Sequence, residues 1–64
     1  MAIGQRIAEL RRKAGYTQVD LAKLLNVDQS AVSQWERGRV EPLKKIRPSL
    51  AQALNCTEDE LTRE

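Results

Sequence analysis

Two helical patterns lie almost back to back in residues 17–38, TQVDLAKLLNVDQSAVSQWERG, and that spacing limits the folds open to the chain. Thr17 can cap the first pattern, with Asp20 three residues on as a variant of the capping box, and Leu21, Ala22 and Leu25 fall on the inward side. The pattern stops at Asn26, a residue that tolerates left-handed backbone. Only Val27 and Asp28 follow before the second pattern begins, so the chain must turn a sharp corner there. The carboxylate of Asp28 is expected to accept from the free N–H groups that open the second helix, and Gly38 to end it.

Helix, short turn, helix is the arrangement of a helix-turn-helix, but many simple packing corners share it, so the flanks decide. Upstream, Ile3, Ile7, Leu10 and Ala14 recur on one face of a helix over residues 3–14. Gly15 supplies a left-handed stop, and Arg11, Arg12 and Lys13 favour the negative end of that helix dipole. Downstream, the basic loop RGRVEP leads to a fourth helix ending near Leu54, with Ile46, Leu50, Ala53 and Leu54 facing in. The ring of Pro48 would clash with the carbonyl four residues back, so this helix should begin near Lys45 rather than at Pro42. Finally, Thr57 and Glu60 form a capping box, and Leu61 anchors a short terminal helix. The class is all-α, with five short helices and no repeat or low-complexity tract.

A chain of 64 residues sits near the lower size at which an apolar core holds without staples. With no Phe and one Tyr, burial must come from aliphatic side chains. Cys56 is alone, so no internal disulfide forms; with no His either, there is no zinc site and no nucleophile–base pair. No apolar run approaches the roughly 20 residues of a membrane span. The expectation is a soluble intracellular module that uses no metal or other cofactor, does not enter a membrane and is not an enzyme. Its net charge of +2 is unevenly spread. In residues 37–47, Arg37, Arg39, Lys44, Lys45 and Arg47 stand against Glu41 alone, leaving +4, whereas in residues 55–64 four acids stand against Arg63, leaving −3. An anionic partner would feel the first of these segments.

On a wheel of about 100° per residue, Ala31, Val32 and Trp35 share one side of the second pattern. Gln29, Ser30, Ser33, Gln34 and Arg37 fill the other, with Glu36 at the border. The outward arc thus carries no carboxylate. The major groove of DNA admits one α-helix and presents fixed donor–acceptor pairs on base edges. The Gln fork matches the amino group and ring nitrogen of adenine, and Ser can donate or accept. A carboxylate there would be repelled by phosphates. Arg37, Arg39, Lys44, Lys45 and Arg47 then flank the reading helix where phosphates would lie, and the N-terminus of the second helix, at Thr17 and Gln18, offers N–H groups to another phosphate. Trp35 is expected in the core, Cys56 as a buried inert thiol, Tyr16 over the end of the second helix, and Glu58, Asp59 and Glu60 as charges suited to a helix N-terminus.

The segments TQVDLA, VDQSAVSQWERG and the following EP, continuing through LAQALNCTEDEL, resemble the phage repressor/Cro-type (XRE-type) helix-turn-helix family over nearly the whole chain. The resemblance implies a compact five-helix, lambda-repressor-like domain spanning residues 1–64, with helices 2 and 3 as the DNA-binding pair. It implies that Gln18 contacts a phosphate and braces Gln29, that Gln29, Ser30, Ser33 and Gln34 face base edges, and that Arg11 pairs with Glu36. Asn26 stands where the family often has Gly, and LKKIRPSL carries more charge and a later proline than usual. The function expected is a transcriptional regulator, a repressor, bound to a double-stranded DNA operator as a homodimer that is weak alone and assembles on DNA. A protein-interaction module, an antitoxin or adaptor on the same fold, is the alternative.

Overall fold

A computed structural model describes residues 3–62. Arg63 and Glu64, counted above in the acidic terminal segment, lie outside the described residues. The helices are α1 (Ile3–Lys13), α2 (Gln18–Leu25), α3 (Gln29–Glu36), α4 (Arg47–Ala53) and α5 (Glu58–Thr62), with a 3-10 turn at Lys44–Ile46. The all-α, five-helix expectation holds, and there is no strand among the described residues.

One device ends α1 to α4. Past each end a residue takes a left-handed conformation: Gly15 (φ 86°), Asn26 (58°), Gly38 (75°) and Asn55 (58°). The N–H of that residue and of the next one then reach back to free carbonyls. After α2, Asn26 N–H donates to Lys23 O (3.2 Å) and Val27 N–H to Ala22 O (3.0 Å). After α3, Gly38 N–H donates to Trp35 O (3.1 Å) and Arg39 N–H to Gln34 O (3.0 Å). These paired bonds satisfy carbonyls the helix cannot, and they fix the exit direction of the chain.

The starts are less uniform. Thr17 and Asp20 close the capping box, Asp20 N–H donating to the Thr17 hydroxyl (3.0 Å) and Thr17 N–H to the Asp20 carboxylate (2.9 Å). Thr57 and Glu60 do the same for α5. Asp28 does occupy the extended position before α3, but its carboxylate makes no capping bond. The N–H of Ala31, its natural partner, is taken by the main-chain carbonyl of Asp28 at 3.0 Å instead. The start of α4 also differs from expectation. Lys44–Ile46 form the 3-10 turn, and the α-helix proper opens at Arg47. Pro48 therefore sits in the first turn, where its missing N–H costs nothing.

All five helices meet in one core. Ile7, Leu21, Val32, Leu50 and Leu61 are fully buried, and Ala22, Trp35, Ala51 and Leu54 nearly so. Ile3, Leu10, Ile46 and Ala53, expected inside, are half-buried around its edge, and Pro42 is fully buried and pins the α3–α4 loop. Trp35 lies in the core as expected, at 6% exposure.

Candidate nucleic-acid interface

α3 is held from three sides, so its outward face is set by its neighbours. Val32 and Trp35 are buried against the core, and α2 and α1 pack along it. The approach of α1 depends on Gly4. A Cβ there would lie 2.1 Å from Trp35 O and 3.1 Å from Glu36 O, so only glycine lets α1 ride over the last turn of α3. Nothing in the chemistry of the sequence marked Gly4. The one available signal was a glycine inside an apolar helical pattern, which lowers helix stability unless packing requires it.

A polar chain runs from α1 to the outward face. Arg11 clasps Glu36 through Nε–Oε2 (2.6 Å) and Nη2–Oε1 (3.1 Å), and its Nη1 donates to Tyr16 O (2.9 Å). The two side chains are 11% and 7% exposed. Gln18 Nε2 donates to Glu36 Oε1 (3.0 Å), and Gln29 Nε2 donates to Gln18 Oε1 (3.3 Å). Burial pushes the Glu36 carboxyl up, but the bonds from Arg11 and Gln18 outweigh it and hold the group below its ordinary value. The hydrogen bond to Glu36 likewise raises the Arg11 guanidinium. Glu36 is thus ionised, yet its charge is neutralised behind the face rather than presented on it.

On the face itself Gln29, Ser30, Gln34 and Arg37 are exposed and Ser33 is half-buried. Asp28 is exposed at the start of α3. Arg39, Lys44 and Lys45 are exposed beyond its C-terminal end, and none of these cations, nor Arg37, forms a salt bridge among the described residues. Arg47 departs from that group. Its Nε donates to Pro42 O (3.2 Å) and its Nη2 to Glu41 Oε1 (3.2 Å), so it braces the loop. At the N-terminus of α2, Thr17 has committed its N–H to Asp20, whose carboxyl that bond holds low. The N–H groups of Gln18 and Val19 find no acceptor among the described residues and remain available to an anion.

Other singled-out side chains lie off this face. Tyr16 is half-buried against α2, beside Asp20, Lys23 and Leu24. Cys56 is half-buried, and burial followed by the charge of Glu60 raises its thiol pKa, the opposite of a reactive thiolate. Among the described residues no three His, Cys, Asp or Glu side chains gather to hold a metal, and no helix is long and apolar enough to cross a membrane.

Comparison with known proteins converges on one family. The helix-turn-helix profile HTH_3 matches residues 7–61. The HTH-type transcriptional regulator DicA of Escherichia coli K12 is 42% identical over 57 residues, which are 89% of this chain and 42% of that protein. Repressor protein C2 of Salmonella phage P22 is 38% identical over 61 residues, 95% of this chain and 28% of that protein. The chain therefore spans less than half the length of these relatives. In three dimensions it superposes on the P22 c2 repressor in complex with synthetic operator 9T in the presence of Tl+, with a TM-score of 0.92, 36% identity, and coverage of 98% of this chain and 96% of that one. A profile that spans most of the chain, and a fold in which α2 and α3 form its defining corner, show that the chain belongs to the helix-turn-helix family.

Proposed function

We propose that residues 1–64 act as one sequence-specific, double-stranded DNA-binding domain of a transcriptional regulator, a repressor working in a bacterial or phage-infected cytoplasm. The observation that carries this reading is the outward face of α3: Gln29, Ser30, Ser33 and Gln34 with no carboxylate among them, and Glu36, at the border of that face, neutralised behind them by Arg11. The operator complex of the P22 c2 repressor, at TM-score 0.92, supports it. In this reading α3 enters the major groove and its Gln and Ser side chains meet base edges. Thr17, Gln18, Arg37, Arg39, Lys44 and Lys45 contact phosphates and set register and affinity. One helix reads only a few base pairs, so two copies share a pseudo-palindrome, with half-sites about 34–36 Å apart, in a dimer that is weak without DNA.

Gln34→Ala is expected to cost about 1–3 kcal/mol on the selected site and little on random duplex, measured by competition binding. Equal losses on both duplexes would remove Gln34 from base reading. Replacing Lys44 and Lys45 together by Ala should weaken binding to every duplex and lower the slope of log affinity against log salt by nearly two, at about 0.9 per phosphate contact. An unchanged slope would move both lysines off the interface. A domain that packs on protein instead, as in an antitoxin or adaptor, would show little affinity for any duplex at moderate salt.

A further inference from the structure

We infer that Glu36 decides which end of the Gln29 amide faces the DNA, acting through Gln18, with Arg11 holding Glu36 in place. This rests on the reading of α3 as the base-reading helix. An ionised carboxylate only accepts hydrogen bonds. Glu36 Oε1 therefore fixes the Gln18 amide with its nitrogen inward, at 3.0 Å. Gln18 Oε1 is then turned toward Gln29, and it too can only accept. Gln29 must answer with its nitrogen, at 3.3 Å. What Gln29 has left is its carbonyl oxygen and one N–H, in a fixed order along the face.

That order matters because base edges are read by the order of donors and acceptors. Adenine presents an amino donor beside a ring-nitrogen acceptor, and a Gln whose amide is free to flip meets other edges as well. Locking the flip before binding turns an adaptable side chain into a discriminating one, and it removes an ordering cost from the encounter. Gln18 keeps a second amide proton unspent, so the same side chain can hold a phosphate while it orients Gln29. Glu36 is on this view a positioning residue for specificity, and its ion pair with Arg11 has a role beyond stability.

The test uses a duplex selected by the wild-type chain from a random pool, together with versions changed one base pair at a time. The pairs at which Gln29→Ala and Gln34→Ala lose preference locate the positions those two residues read. Glu36→Gln should reduce preference at the Gln29 position on the order of tenfold, within the worth of one bidentate contact, and leave preference at the Gln34 position standing. In a Gln29→Ala background the same change should cause no further loss of preference. Gln18→Ala, which retains the Arg11–Glu36 pair, should repeat the loss. If circular dichroism finds Glu36→Gln unfolded, Arg11→Met combined with Glu36→Leu, which removes the carboxylate without leaving an unpaired charge, takes its place. Full preference in both variants would overturn the inference. So would an equal loss at the Gln34 position, which would mean a general loosening of α3. A wild-type chain that selects no sequence would instead overturn the base-reading assignment itself.

Discussion

Arg11→Met should destabilise the domain by about 3 kcal/mol, because it strands a nearly buried carboxylate. The Glu36 side chain is 7% exposed and receives two bonds from Arg11. Gln18 would still donate to it, which keeps the loss at the low end of the range for broken buried pairs. For a chain of this length, total stability is on the order of 3–9 kcal/mol, so much of the fold's margin is at stake. Urea denaturation measures the loss directly. Arg11→Met combined with Glu36→Leu should recover most of it, since the cost lies in the unpaired charge rather than in missing volume. A double variant as unstable as the single one would contradict this assignment.

The pH dependence of the same pair has a definite sign. Glu36 is held below its ordinary value of 4.5 in the folded chain, so its stabilisation is complete above that value and is lost as pH falls through the lowered one. In Arg11→Met the chief lowering influence is gone, and burial, opposed by the remaining Gln18 bond and the charge of Arg12, shifts the carboxyl toward the protonated form. The gap between wild type and variant should therefore narrow as pH falls through the ordinary carboxylate value of 4.5 and below it. A gap that stays constant over that fall in pH would place the effect elsewhere.

Gly4→Ala should lower stability by about 2 kcal/mol, although Ala is the better helix former by about 1 kcal/mol. The atoms in the way are main-chain oxygens: Trp35 O at 2.1 Å and Glu36 O at 3.1 Å from the added carbon. Trp35 O also accepts from Gly38 N–H, so moving it disturbs the bonds that end α3. α1 must back away or α3 must shift, and the second course displaces the reading face. A fall in melting temperature of roughly 10 °C or more is expected, with weaker binding to the selected duplex even where the variant is folded. A raised melting temperature would mean that α1 does not approach α3 as described.

Of these two sites, the Arg11–Glu36 pair was anticipated through the family resemblance, whereas the role of Gly4 was not. Gly15, Asn26 and Gly38 were legible as helix ends because few residue types accept left-handed backbone. Asn55 ends α4 in the same way, but it lay in a stretch read only for the cap that follows. Asp28 was placed correctly and bonded wrongly, since residue type does not reveal that a main-chain carbonyl takes the Ala31 N–H first. Pro48 bounded the start of α4 without fixing it, because a proline is equally at home in a helix's first turn. Arg47 looks like Arg37 and Arg39 along the chain, and only the path of the loop brings Pro42 O to its Nε. Gly4 was opaque for a similar reason, since its obstacle is backbone from a distant helix. The outward face of α3 was the most legible part, because helical periodicity alone separates Gln29, Ser30, Ser33 and Gln34 from Val32 and Trp35.

The most direct measurement is selection of duplexes from a random pool by the wild-type chain, repeated to enrichment. The expected result is a two-fold symmetric motif whose half-site centres lie one helical turn apart, about 34–36 Å. A pool that binds but enriches no motif would contradict base reading by α3, leaving only the salt-dependent attraction of Arg37, Arg39, Lys44 and Lys45 for the DNA backbone.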